Sequence, residues 1–233
     1  MATSGTIATT VIKTSRLIEK ALRRCGINPA SATVETLDTA REDLFMLMMS
    51  LSNRGLNLWC VDQQPVPLTA GQATYPLPAG TLDVLNVLLQ TPQDGGGWRD
   101  FPLSAYNRDE YASLPNKSQE STRPTCYWFE KLRVPQLTLW PVPSDDTRRL
   151  LVFRHRQIQD VGELTEELEI PSRWLEAVCW QLALRLAFEL PEVKPDRVAA
   201  IQAMRQEMTI EVEGGETDSA PVYFAPTIGV YTR

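Results

Sequence analysis

Read as a helix, the stretch from Ile170 to Leu190, IPSRWLEAVCWQLALRLAFEL, leaves little polar surface. Trp174, Leu175, Ala177, Val178, Trp180, Leu182, Ala183, Leu186, Ala187 and Leu190 are apolar. Only Arg173, Glu176, Gln181, Arg185 and Glu189 make a narrow polar strip. Pro171 suits a first helical turn, where its missing N–H costs nothing, and Pro191 closes the other end. A helix apolar on nearly all sides must be wrapped by other elements, so this pattern predicts the centre of a helical bundle.

Three more helices follow from the same periodicity. Thr14 or Ser15 is the expected N-cap of a helix running to Cys25, with Leu17, Ile18, Ala21, Leu22 and Cys25 on one face and Gly26 as its stop. After the turn INPAS, a helix from Thr33 to Arg54 steps through Leu37, Ala40, Leu44, Leu47 and Leu51 by threes and fours. It is about 30 Å long, and Gly55 falls where a left-handed cap is expected. Phe45, Met46, Met48 and Met49 widen its stripe until it too needs several neighbours. The last helix spans 195–213, with Val198, Ile201, Met204, Met208 and Val212 inward and Gly214-Gly215 ending it.

Between residues 56 and 157 the period changes. LWCV, QPVPLT, ATYPLP, LDVLNVLLQ, CYWFEK, QLTLWPV and RRLLVFRHRQ are short, alternating or β-branched runs and predict strands. AGQ at 70–72 and PSDD at 143–146 are turns, QDGGG at 93–97 is a hairpin tip, and SAYNRDEYASLP places one short helix over 107–113. The closing APVYFAPTIGVYTR has two prolines and alternating aromatic and aliphatic residues, the pattern of an extended arm ordered by docking on something else. The expected fold is therefore α+β. Residues 1–55 and 161–213 supply two helical hairpins of a four-helix bundle, 56–160 an inserted antiparallel β domain, and 214–233 an extended C-terminal arm.

Composition narrows the function. No apolar run approaches the roughly 20 residues of a membrane span, and MATSGTIATTVIKTS lacks the layout of a secretory signal. Cys25, Cys60, Cys126 and Cys179 are far apart, have no metal-ligand spacing, and are expected as buried thiols in a reducing compartment. Net charge is -6, the wrong sign for a chain whose main work is gripping nucleic acid, though compatible with one that DNA merely passes.

Candidate chemistry is thin. His155, the single histidine, lies in a strand with no nucleophile beside it. The acidic run 162–169 could offer a carboxylate pair for glycoside hydrolysis, but it fits better as a solvated cap on the helix at Pro171. Gly95-Gly96-Gly97 lacks the Lys-Ser/Thr and strand-to-helix setting of a phosphate loop. No catalytic residue, cofactor or metal is expected. Two features point to assembly instead: a basic stripe of Lys13, Arg16, Lys20 and Arg23, with Arg24 beside it, and the arm's Tyr223, Phe224, Ile228, Val230 and Tyr231. As an alternative, Tyr127, Trp128 and Trp140 could form a sugar platform in a tail-associated glycan-binding or glycan-hydrolysing module.

The chain resembles the head-to-tail adaptor (connector) proteins of short-tailed bacteriophages, the tail tubular protein A class. The resemblance is carried by ALRRCGI at 21–27, SNRGLNLW at 52–59, TAGQATYPLPAGTLDVLNV at 69–87, RDEYASLPNK at 108–117, RPTCYWFEK at 123–131, LTLWPVPSDD at 137–146, IPSRWLEAVCWQLALRLA at 170–187 and the closing YTR. It implies a non-enzymatic virion protein at the head-tail junction, assembled in the host cytoplasm as a ring of twelve subunits beneath the portal protein. Its other partners would be the tail nozzle (tail tubular protein B class) or tail fibres, and DNA would pass through its channel without sequence-specific binding. The resemblance sets the arm on the portal and turns the 91–100 loop to the tail; within that loop Asp94, Gly96 and Trp98 are the tail-facing candidates by exposure and pattern. A ring also predicts that Trp174 and Trp180 differ, one buried in its own chain and the other near a subunit boundary.

Overall fold

The computed structural model describes residues 12–54, 58–159 and 161–215, and its helices gather on α4 (Leu175–Glu189). Ala177, Val178, Cys179, Leu182, Ala183, Leu186 and Ala187 of α4 are buried against α1 (Thr14–Cys25), α2 (Val34–Asn53) and α5 (Pro195–Gly215). Pro171 stands outside the helix in extended conformation. The Trp174 N–H bonds its carbonyl at 2.8 Å, so a single 3₁₀ turn, Ser172–Trp174, leads into α4. Gln181 does not belong to a polar strip: it is buried, and its Nε2 donates to Thr209 Oγ1 on α5 at 3.0 Å, which satisfies both. The helix α5 continues through Gly214 and Gly215, and only Ile201 and Thr209 on it are fully buried.

The first helix is capped from a distance. Lys13, and not Thr14 or Ser15, is its N-cap, and its side chain makes no cap bond. The N–H and hydroxyl of Thr14 both donate to the Glu166 carbonyl at 3.0 Å, and the Ser15 N–H donates to the Leu164 carbonyl at 3.0 Å. The acidic run thus serves α1 through its backbone, not the helix at Pro171, because these carbonyls meet the unpaired N–H groups of a first turn. At the other end Gly26, at φ +88, takes the left-handed cap conformation and donates to the Arg23 carbonyl. For α2 the Thr33 hydroxyl accepts from the Thr36 N–H, as a capping threonine should. Gly55 lies outside the described residues.

Between α2 and α4 the chain builds β structure, so the whole is mixed α+β. The strands are β1 (Val61–Pro67), β2 (Thr74–Pro76), β3 (Thr81–Pro92), β4 (Trp98–Pro102), β5 (Ser104–Tyr106), β6 (Glu120–Ser121), β7 (Cys126–Glu130), β8 (Gln136–Trp140), β9 (Val142–Pro143) and β10 (Arg149–Arg156). One sheet runs β1-β10-β3-β4, fully antiparallel; a second runs β2-β8-β7-β5. Leu150 opposite Leu89 and Val152 opposite Val87 turn inward from the first sheet, to meet Leu137, Leu139, Tyr127 and Tyr75 of the second. The expected antiparallel pattern fails at two short pairs, β5 with β7 and β6 with β9, which are parallel. The short helix α3 (Arg108–Ala112) lies in the connection from β5 to β7, the kind of crossover that parallel neighbours require. Its Asn107 and Glu110 form a capping box.

LWCV is not a strand: Leu58–Cys60 is a 3₁₀ turn that sends Trp59 onto Trp174, ring centroids 5.2 Å apart, and buries Cys60 among the helices. The β3–β4 hairpin closes as the QDGGG pattern predicts, with Gln93 N–H to the Gly97 carbonyl and Gly96 N–H to the Gln93 carbonyl, both at 3.2 Å. Gly95, Gly96 and Gly97 all have φ near +95, where any Cβ would be strained.

Candidate assembly surfaces

His155 is buried on β10, and among the described residues its Nε2 has no hydrogen-bond partner; burial holds its pKa below the ordinary 6.5. The four cysteines are free and buried, and burial pushes Cys25, Cys60 and Cys179 up to about 11, far from a reactive thiolate. No cluster of three metal-ligating side chains occurs among the described residues, and no described helix is long and apolar enough to cross a membrane. Glu163, Glu166 and Glu167 are exposed, while Glu169 is taken by Arg156, which accounts for its pKa below the usual range. The sugar-platform aromatics share no open face: Tyr127 is core, Trp128 stacks on Tyr111 at 5.0 Å, and Trp140 donates its Nε1–H to the Asn116 carbonyl at 2.8 Å.

The basic stripe divides. Lys13, Arg16, Lys20 and Arg23 are exposed along α1, which keeps its apolar residues turned to α4. Arg16 meets Glu19 at 3.1 Å, an exposed pair of little energetic weight. Arg24 points inward: it is paired with Glu176, and its Cζ lies 3.9 Å from the centroid of the Trp180 ring. Trp180 in turn donates to Glu176 Oε1 at 2.8 Å. Arg197 of α5 donates to the Arg24 and Arg23 carbonyls at 2.7 and 3.3 Å, favourable at the negative end of α1. Trp174 and Trp180 do differ, the first 1% exposed and the second half-buried.

Asp94 and Gly96 are exposed at the hairpin tip, and Trp98 behind them is 41% exposed. Tyr223, Phe224, Ile228, Val230 and Tyr231 lie outside the described residues. Two features escaped the sequence reading. One is an arginine cluster over Trp98 and Phe101, which has no local signal because Arg123 and Arg149 come from other parts of the chain. The other is a cleft of about 610 Å³ between α2 and the first sheet, lined by Phe45, Met49, Asp62, Gly80, Arg154 and Arg156. Within it Asp62 accepts from Arg154 Nε and Nη2 at 2.6 and 2.9 Å, and Arg156 reaches both Asp62 and Glu169. The signal was RHR at 154–156, two arginines on one face of a strand. These charges pair with one another at the joint between α2 and the first sheet.

No curated protein matches the chain. Among solved structures it is similar to a chain from the neck of an empty GTA particle, computed with C6 symmetry, at 15% identity over 86% of this chain and 94% of that one. The TM-score is 0.28, at which the likeness carries no argument. Residues 14–226 match the family described as SU10 adaptor protein, from the first residue of α1 past the end of α5, and the chain belongs to that family.

Proposed function

We propose that the chain is a structural virion protein, a head-to-tail adaptor of the kind the tail tubular protein A class represents. It forms a homo-oligomeric ring, twelve subunits in our reading, between the portal protein and the tail nozzle or fibres. The observation that carries this reading is the exposed cationic face of α1 (Lys13, Lys20 and Arg23, unpaired among the described residues) on an acidic chain of the SU10 adaptor family. Such a face is a docking surface for an acidic partner, either the portal or the next subunit. The segment from Tyr223 to Tyr231 reaches the portal, the hairpin tip at Asp94, Gly96 and Trp98 meets the tail, and half-buried Trp180 lies by a subunit boundary. A channel of negative walls lets DNA pass without holding it by counterion release. The same reading takes α1, α2, α4 and α5 as one four-helix bundle from residues 1–55 and 161–213, with 56–160 as the inserted domain. It places the protein at the head-tail junction after assembly in the host cytoplasm.

The test is electron microscopy of the protein mixed with the portal protein of the same phage, together with light scattering. Portal particles extended by a ring are expected, with recruitment at least tenfold weaker for Lys13→Glu/Lys20→Glu/Arg23→Glu. A protein that stays monomeric beside the portal, or a triple variant that is recruited like the wild type, would overturn the reading.

A further inference from the structure

The first sheet ends in β4, and among the described residues no strand pairs with its outer edge. Trp98, Arg99, Asp100 and Pro102 are exposed and Phe101 is half-buried. Three guanidinium groups lie over its two rings. Arg123 Cζ is 3.9 Å and Arg99 Cζ 5.0 Å from the Phe101 centroid, and Arg149 Cζ is 4.1 Å from that of Trp98. Arg149 is aimed by its neighbours: its Nε donates to Gln90 Oε1 at 2.7 Å, and Gln90 Nε2 donates to Asp100 Oδ1 at 2.8 Å, three residues in register across β10, β3 and β4. Among the described residues none of the three arginines has an ion pair. Arg148, one position away, is closed by Asp145 and the Thr122 carbonyl.

That contrast identifies the surface. A guanidinium laid on a ring has lost hydration from one face while its N–H edges stay outward, so it is pre-organised for a planar carboxylate. An edge strand adds its own row of unpaired N–H and C=O groups, which only another extended backbone can match. The cations also flank both faces of β4: Arg99 and Phe101 project on the side of Leu89, Trp98 and Arg149 on the side of Gln90. Complementarity therefore asks for carboxylates on successive residues of the incoming strand.

We propose that the outer edge of β4 receives an extended acidic peptide segment of a partner protein, which adds to the sheet as a fifth strand and sets its carboxylates against Arg99, Arg123 and Arg149. The inference deepens the assembly reading at the hairpin and rests on it, yet the two fail separately. Peptide binding tests the edge, and recruitment to the portal tests the ring.

The experiment is fluorescence anisotropy of a labelled, capped heptapeptide of glutamate pairs spaced by valines, titrated with the full-length protein. Binding is expected to fall at least tenfold for Arg99→Gln/Arg123→Gln, for the peptide with glutamine in place of glutamate, and for the peptide N-methylated at alternate amides. Lys194→Gln/Arg205→Gln, two cations of the helical side, should leave it unchanged. No binding, equal binding of the N-methylated peptide, equal loss in the helical-side variant, or displacement of the peptide by oligo-dT would each overturn the proposal. Should the β4 double variant unfold, the glutamine and N-methylated peptides decide the matter on the wild-type protein.

Discussion

Asp43 sits on α2 among Ala40, Leu44, Leu47 and Met48 and is only 3% exposed. Its Oδ2 has no hydrogen-bond partner among the described residues. Burial raises its pKa above the ordinary 3.8; Glu189 and Glu42 add to the rise and Arg185 opposes it. A carboxyl group that binds its proton more tightly when folded contributes stability that is complete below the unfolded value of 3.8. That contribution is lost as the pH climbs through the raised folded value. At neutral pH the charge is therefore a burden, and Asp43→Asn should stabilise the protein by about 1–2 kcal/mol at pH 7, the gain fading toward pH 4. Thermal melts across that range check it; a variant that melts lower at pH 7, or a gap independent of pH, would contradict it. The seam of α2 was legible as a step of threes and fours, but nothing in that step said that an aspartate would take one of its places. A side chain's partners on other elements are absent from local periodicity, and Gln181 was misplaced for the same reason.

At the scale of elements, the helices were legible, and so were the starts of α2 at Thr33 and α5 at Pro195, while those of α1 and α4 were not. Thr14 was expected to cap α1 with its own side chain, but its hydroxyl and its N–H both turn to Glu166, more than 150 residues away. Strands with strong alternation, such as β3, β8 and β10, could be read, β2 falls inside the run ATYPLP, and β9 begins within QLTLWPV, while WRDFP of β4, SAY of β5 and ES of β6 carry too few apolar positions to announce themselves. The joint between the sheets and the helices was invisible because its members are spread along the chain. Arg156 at the end of β10 binds Glu169 before α4, and Glu169 Oε2 also accepts from the Gln159 N–H at 3.0 Å. The arginine depresses the Glu169 pKa, so the stability the pair provides is present above the unfolded value of 4.5 and is lost as the pH falls through the lower folded one. Glu169→Gln should cost about 2 kcal/mol at neutral pH, with wild type and variant converging in acid. Chemical denaturation at pH 7 and at pH 3.5 measures this, and an unchanged midpoint at pH 7 would remove the joint from the stability of the fold.

For the whole molecule, the order of helix, strand and helix was readable from the change of period, and the order of motifs pointed to adaptors before any geometry was known. The candidate surfaces were half readable: the exposed row of α1 and the hairpin tip were found, the arginine cluster on β4 was not, since Arg123 and Arg149 come from elsewhere in the chain. Two apolar clusters divide the interior, one among the helices with Cys25, Cys60 and Cys179, the other between the sheets. Cys126 is buried on β7 outside the helical cluster. Native protein at pH 8 should show no thiol reactive toward a disulfide reagent. In rising guanidinium the three thiols of the helical cluster should react together, and Cys126 at its own midpoint if the two packed sheets unfold apart from the helices. A single midpoint for all four would deny the division into domains.

The capping of α1 by the carbonyls of Leu164 and Glu166 also sets an order in time. Synthesis delivers α1 and α2 first, and more than a hundred residues, carrying all ten strands, emerge before α4 does. Until then Leu17, Ile18 and Leu22 lack the face of α4 they pack against, and until residues 164–166 emerge the first amides of α1 are bonded to water. Thus α1 is made well before its final neighbours, and it waits, apolar side open, for the helix that its own pattern calls for.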